Sequence, residues 1–468
     1  MPQTLLDKIW DQHVIAELGS GLDLLHIDRT LVHDLGGARV FGALQDQGHR
    51  VRNPELTFAT VDHCCSSLPG RDEQSTESGS RLIPILRDRC VEQSIRLFDI
   101  DSPEQGIVHI IGPELGLTLP GVTLVCGDSH TCTHGGVGAL SWGVGTSDLS
   151  HVLATQTLVE RRPQTMRIRY EGELPDGIEP KDLILYVIGQ YSAHAGTGYA
   201  VEYAGSVIQS MPIEGRLTIC NLSIELGARM GLVAPDEITF DYLAGRPYAP
   251  QGAWWDRALA HWQTLNSDAD AVFDREIEVE VSAIEPQLTW GISPEHVIGI
   301  SDRVPDPAQA PDLSTRQSWE RALAYMDLQP GQAIEGLPID VVFIGSCTNS
   351  RLSDLQHAAE VVRGQKVAAH VEAWVVPGSQ TVKREAEQLG LHEIFQAAGF
   401  EWREPGCSRC VATNGEYVPP GKRSVSTSNR NFIGRQGPDA RTHLASPTMA
   451  ARAAIEGCLT DVRRGRGQ

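Results

Sequence analysis

The chain has 468 residues, 41% apolar and 21% charged, with 60 acidic against 39 basic side chains and a formal net charge of -21. At roughly 100–200 residues per domain this is the composition of a globular protein of two to four domains, which excludes a disordered chain. It also argues against broad nucleic-acid binding, which depends on Lys and Arg neutralising phosphates.

The opening segment, MPQTLLDKIWDQH, lacks the basic and apolar regions of a secretory signal and the Arg/Ser bias of a transit peptide. No apolar run approaches the roughly 18–20 residues needed to cross a bilayer. A cytoplasmic protein without membrane contact is expected.

Further along, short Val/Ile-rich runs lead into turns and then helix-like stretches, as in GVTLVCGDSHT (121–131), IDVVFIGSCTNSRLSDLQHAAEVV (339–362) and VEAWVVPGSQTVKREAEQL (371–389). They predict buried strands feeding helices, hence an α/β fold with largely parallel sheets, whose ligands gather beyond the carboxyl ends of strands. Asp128, Ser129, His130 and Cys347 follow such ends. Residues 170–182 and the Pro- and Asp-rich 300–315 read as connections. Arg463, Arg464 and Arg466 read as a solvated basic tail.

Several polar residues are placed for chemistry. Asp128 and His130 flank Ser129, and Asp62–His63 repeats the pairing of carboxylate with imidazole, which sets tautomer and basicity. His109 follows an apolar stretch and by itself reads as a hydrogen-bonded structural residue. Asn221 and Glu225 lie four apart where Ile219, Leu222, Leu226 and Met230 have helical spacing and Gly231 is a candidate helix end, so both share one predicted face. Arg430 and Arg435 flank NFIG, and guanidinium forks suit carboxylates.

Ten cysteines are too few for a secreted disulfide scaffold. Cys407 and Cys410 form a C-x-x-C, with Cys347 far upstream in GSCTNS. The pair alone leaves zinc, an iron–sulfur cluster, a redox dithiol and coincidence open. A closed zinc site wants four protein ligands, whereas three thiolates leave one metal position open for Lewis-acid chemistry.

GSCTNS, PGCSRC, STSNRNFIGRQG (425–437), CGDSHT (126–131) and GIVHIIGPE (106–114), five separate motifs that occur along the chain in the right order, resemble the aconitase superfamily. The resemblance runs from HIDRTLVHD (26–34) to THLASPTMAARAAIEG (442–457) and is closest to the bacterial isopropylmalate isomerase branch, on its large-subunit side. It implies aconitase-like three-layer α/β/α domains around a central iron–sulfur site, with approximate boundaries 1–170, 171–300 and 301–468, the last carrying the cluster cysteines. It implies one 4Fe-4S cluster on Cys347, Cys407 and Cys410, with the other seven cysteines as buried non-ligands. Asp62, His63, His109, Asp128, His130 and Glu225 become the catalytic set; Ser129, Arg430 and Arg435 bind substrate; Asn221 and Asn429 face the cluster. The implied reaction dehydrates a 2-substituted malate and rehydrates the alkene on the neighbouring carbon, as in leucine biosynthesis. A separate small subunit is implied to supply the swivel domain's serine base and arginine.

Several positions depart from the branch's usual pattern. Asp62–His63 is followed by Cys64, Cys65, Ser66 and Ser67, where Asn and then Pro or Ser with Thr are common; Arg409 replaces the usual Met; Thr413 and Gly415 also differ. A paralogue acting on a homocitrate-, citrate- or benzylmalate-type substrate is therefore an alternative. An RNA-binding regulator is another, opposed by the negative charge.

Overall fold

The structure is a computed structural model describing residues 2–464, so Arg466 lies outside the described residues. The described residues form two compact units, the first made of residues 2–65, 72–173 and 196–280 and the second of residues 66–71, 174–195 and 281–464.

The first unit holds a five-stranded parallel sheet in the order Arg96–Phe98, Thr57–Thr60, Arg29–His33, Thr123–Cys126, Leu140–Gly143. Apart from the exposed Arg96 on the edge strand, these strands are mostly buried because both faces are covered, as parallel sheets require. Val32, Ala59 and Val125 join a core with Phe41, Leu44, Ile83 and Leu86, whereas their neighbours Leu31, Phe58 and Leu124 pack with Val108 and Ile111. A second parallel sheet runs in the order Met230–Val233, Tyr199–Ala204, Gln164–Glu171, Arg275–Glu280.

The second unit is built on a parallel sheet in the order Glu401–Trp402, Glu372–Val375, Val341–Ile344, Arg423–Ser426, Arg441–Leu444. Val342, Ile344, Ala373 and Val375 meet the helices Leu352–Val362 and Pro447–Glu456 through Leu355, Ala358, Met449 and Ala453, and Phe343, Trp374 and Val376 face the opposite way with Cys410. The expected α/β class with mostly parallel sheets is what the chain adopts. Among the described residues no helix is long and apolar enough to cross a membrane.

Two local expectations are corrected. The helix expected through Met230 is Ile213–Asn221, continuing as a 3-10 turn Leu222–Leu226 and ending where Gly227 turns left-handed (φ 96°). Met230–Val233 is a buried strand that pairs with Tyr199–Ala204. The connection at 170–182 is shorter than read, because Glu171 still belongs to a strand and a helix starts at Pro180. Arg463 and Arg464 are exposed, as expected, and pair at the surface with Asp461 at 2.7 Å and Glu335 at 2.8 Å.

Candidate functional site

In the first unit, three adjacent parallel strands deliver polar residues at their carboxyl ends. His33 ends Arg29–His33, with Asp34 next; Asp62 and His63 follow Thr57–Thr60; Asp128, Ser129 and His130 follow Thr123–Cys126. The turn over Ser129–Val137 needs small residues. A Cβ on Gly136 would lie 2.7 Å from the Leu217 backbone nitrogen, and one on Gly143 2.5 Å from the Asp128 carbonyl oxygen.

Asp128 is the hub of this group. Its Oδ1 accepts from His109 Nε2 at 2.9 Å and from the His130 amide at 2.7 Å, while Oδ2 lies 3.5 Å from His63 Nε2. Burial alone would push this carboxyl up, but the hydrogen bonds from His109, His130 and His63 hold it well below its ordinary value. His63 Nδ1 donates to Asp62 Oδ1 at 2.6 Å, and Asp62 Oδ2 accepts from the Val108 amide at 2.9 Å. Burial raises Asp62 too, and the neighbouring His63 more than reverses it.

On the other side, His130 Nε2 meets Glu225 Oε1 at 3.1 Å, and its Nδ1 lies 3.4 Å from the Ser129 hydroxyl. Asn221 Nδ2 donates to Thr133 Oγ1 at 2.7 Å, tying the helix Ile213–Asn221 to the same turn. The structure thus brings Asp62, His63, His109, Asp128, Ser129, His130, Asn221 and Glu225 into one connected group.

Three members escaped the sequence reading. His134 joins His109 Nδ1 at 3.1 Å to Thr118 Oγ1 at 2.7 Å, making a chain of imidazoles behind Asp128. His33 stacks on His63 with ring centres 4.3 Å apart, and both its ring nitrogens are buried without a protein partner. Burial and the neighbouring His63 push its pKa down to about 4. Asp34 accepts the amides of His63 at 3.0 Å and Cys64 at 2.8 Å, fixing the backbone there, and burial beside Asp62 pushes it up to about 6. The HIDRTLVHD segment held the signal for His33 and Asp34; nothing in sequence singled out His134.

The ligand atoms of His33, Asp34, Asp62 and His63 lie within 4.8 Å of one another, the spacing a single ion needs. Both carboxylates are already engaged, Asp34 by the amides of His63 and Cys64 and Asp62 by the His63 ring and the Val108 amide. We read this quartet as the support of His63.

In the second unit, Cys347 follows Val341–Ile344 and Asn429 follows Arg423–Ser426, two hydrogen-bonded parallel strands. Asn429 Nδ2 lies 3.4 Å from Cys347 Sγ and its Oδ1 3.6 Å from Cys410 Sγ, so one amide spans two thiols. Cys407 and Cys410 bracket a 3-10 turn in which Ser408 is left-handed at φ 47°. All three thiols are buried and none is in a disulfide. They are not gathered as tightly as one ion would require, since among the described residues the His33 group alone meets that spacing. Soft thiolates spread more widely fit a multi-iron cluster better than a single zinc.

Arg435 Nη2 lies 3.8 Å from Cys410 Sγ, and its Nε is buried with no protein partner. Arg430 is partly buried two residues beyond Ser428, whose carbonyl is held by the fully buried Lys181 at 2.7 Å. Burial, opposed by Asp354 and Asp182, pushes Lys181 down to about 7.

The departing positions have local explanations. Cys64 and Cys65 are buried, and burial beside Asp34 pushes the Cys64 thiol up, which makes it unreactive. The Arg409 guanidinium stacks on Trp374 at 3.3 Å and pairs with Glu372 at 2.7 Å. Gly415 occupies a left-handed conformation at φ 86°. Nothing in the structure explains Thr413. Of the seven other cysteines, six are buried and Cys458 is partly exposed.

Residues 7–457 match the aconitase family (aconitate hydratase). The chain is 64% identical over 461 residues to 3-isopropylmalate dehydratase large subunit 1 of Bradyrhizobium diazoefficiens, covering 98% of this chain and 96% of that protein. Aconitase X of Thermococcus kodakaraensis, in its holo-form crystal structure, aligns with 98% of this chain and 92% of its own at 13% identity and a TM-score of 0.47. With a family match along nearly its whole length, the chain belongs to the aconitase family.

Proposed function

We propose that this chain is the large subunit of a hydro-lyase that isomerises 2-isopropylmalate to 3-isopropylmalate in leucine biosynthesis, working with a separate small subunit and one 4Fe-4S cluster. The observation that carries this is the 64% identity along 98% of the chain to a relative named as such a large subunit.

The cluster's proposed ligands are Cys347, Cys407 and Cys410, with Asn429 oriented on two of the sulfurs. When bound, it supplies a Lewis acid for the substrate hydroxyl. The remaining chemistry falls to the chain's own groups. Arg435, with a buried and unpartnered Nε, and Arg430 bind the carboxylates, and Ser129 contacts substrate. Asp128 stays ionised and fixes His109. With neutral rings, His109 Nε2 donates to Asp128, His134 Nε2 donates to His109 Nδ1, and the Thr118 hydroxyl donates to His134 Nδ1. A proton gained by His109 reverses the last two bonds, so the chain can accept a proton without losing a hydrogen bond. His63, between Asp62 and Asp128, donates from both nitrogens when doubly protonated. The Glu225–His130 pair is a second site where a proton can be held.

We place the chain in the cytoplasm, which suits ten cysteines of which none is in a disulfide. We assign the serine base and the arginine to the small subunit that the relative's name implies, so the large chain alone should be inactive. The test compares kcat/KM for isopropylmalate, citrate, homocitrate and benzylmalate with the two subunits reconstituted without oxygen. Isopropylmalate is expected to lead. If homocitrate or benzylmalate wins by more than about tenfold, equivalent to about 1.4 kcal/mol, the leucine assignment fails and the paralogue reading replaces it.

A further inference from the structure

Glu416 lies six residues beyond Cys410 in a Gly- and Pro-containing loop where a carboxylate would ordinarily be solvated. Instead it is the centre of a hydrogen-bond cluster within the second unit. Its Oε2 accepts from the Ser408 hydroxyl at 2.5 Å and from the Ser67 hydroxyl at 2.7 Å. Its Oε1 accepts from the Ser67 amide at 2.7 Å and the Ser66 hydroxyl at 3.1 Å. Burial would raise this carboxyl, but the Ser408 and Ser67 donors hold it below its ordinary value.

Ser408 is the residue these bonds act on. It sits between Cys407 and Cys410 with a left-handed backbone, a conformation costly for a residue with a Cβ and retained where surrounding bonds impose it. Two further ties fix the same pair of segments: the Glu404 amide donates to the Ser67 carbonyl at 2.7 Å, and the Arg71 guanidinium donates to the carbonyls of Ser66 and Pro405. The residues Ser66 and Ser67 follow Cys64 and Cys65, among the positions that depart from the family pattern.

We infer that Glu416 is a positioning residue for the thiolate turn, which sets the spacing of Cys407 and Cys410 by clamping Ser408 to the Ser66–Arg71 segment. Its carboxylate acts through Ser408, whose hydroxyl donates to it, rather than on a thiol directly. The inference rests on the cluster reading of the three cysteines. Its consequence is that iron retention, rather than folding, depends on the clamp.

The experiment uses the full chain loaded with iron without oxygen and measures iron content and the rate of iron release to a chelator. Variants are Glu416→Ala, Glu416→Gln, Ser408→Ala and Ser67→Ala. Glu179→Gln is the comparison, because Glu179 is also a multiply bonded buried carboxylate of this unit, accepting from Thr448 at 2.8 Å. Thermal unfolding of each iron-free chain is recorded alongside. Glu416→Ala is expected to release iron at least about tenfold faster than wild type, with Glu416→Gln and Ser408→Ala intermediate. Glu179→Gln is expected to lower Tm without changing release. Wild-type release rates in Glu416→Ala and Ser408→Ala, or release that merely follows Tm in all variants including Glu179→Gln, would overturn the inference. A wild-type chain that takes up no iron overturns the cluster reading, and the clamp's role with it.

Discussion

His130 stands between two carboxylates, with Nε2 3.1 Å from Glu225 Oε1 and Nδ1 3.6 Å from Asp128 Oδ1. The two carboxylates are not equivalent. Asp128 is saturated with donors and stays ionised, whereas Glu225 is buried with the imidazole as its ring partner. The imidazole is thus held between an ionised hub and a second buried carboxylate, the setting in which a positioned side chain can transfer a proton.

Glu225→Gln preserves shape and a hydrogen bond to His130 but cannot take a proton. In the reconstituted enzyme it should lower kcat by about 10²–10⁴-fold, the usual contribution of a positioned acid or base, with KM changed by less than about threefold. Steady-state kinetics checks this. An equal rise in KM at unchanged kcat would assign Glu225 to binding instead.

Cys407→Ser keeps the turn and removes one soft ligand. The wild-type chain, purified without oxygen, should carry about four iron per protomer by the stoichiometry of the proposed cluster, and the variant distinctly less. Metal analysis decides it, since zinc in place of iron, or equal iron in both proteins, contradicts the assignment.

Arg435→Lys tests carboxylate recognition. A lysine supplies charge without the planar fork, and it loses the buried Nε donor that has no protein partner. A lost charge-assisted hydrogen bond is worth about 1.5–3 kcal/mol, so KM for the malate should rise by about 10–100-fold, with kcat less affected. A change confined to kcat would move Arg435 from substrate binding to the support of Cys410, its neighbour at 3.8 Å.

The strands Thr123–Cys126, Val341–Ile344 and Glu372–Val375 were legible because a strand covered on both faces must be a continuous apolar run. The same rule explains the error near residue 230. Met230–Val233 is just such a run, but its apolar residues happened to continue a helical spacing from Ile219, and periodicity alone cannot separate the two. The carboxylate–imidazole pairs could be read because they are adjacent in sequence. Glu416 could not, since its partner Ser66 lies 350 positions away, and an acidic residue in a loop normally signals only solvent. His134 was hidden for a related reason: its partners His109 and Thr118 are brought to it by the fold.

His443 predicts the acid limb of stability. It is fully buried, its Nδ1 donates to the Thr289 carbonyl at 2.6 Å, and Arg423 Nη1 lies 2.9 Å from Nε2. A guanidinium can only donate, so Nε2 must accept and the ring must be neutral. Burial and then the Arg423 charge push its pKa down to about 3, from an ordinary value of 6.5. A lowered histidine means that the unfolded chain binds the extra proton first. The stabilisation is therefore complete above about pH 6.5 and is lost as pH falls toward about 3. Over that window the loss is on the order of 3–5 kcal/mol, at about 1.36 kcal/mol per unit. His443→Gln can keep one donor and one acceptor without titrating. It should cost stability at pH 8 yet show a shallower decline between about pH 6.5 and 4 in denaturant midpoints measured on the iron-free chain. Parallel wild-type and variant profiles across that range would mean that His443 is not held neutral by Arg423.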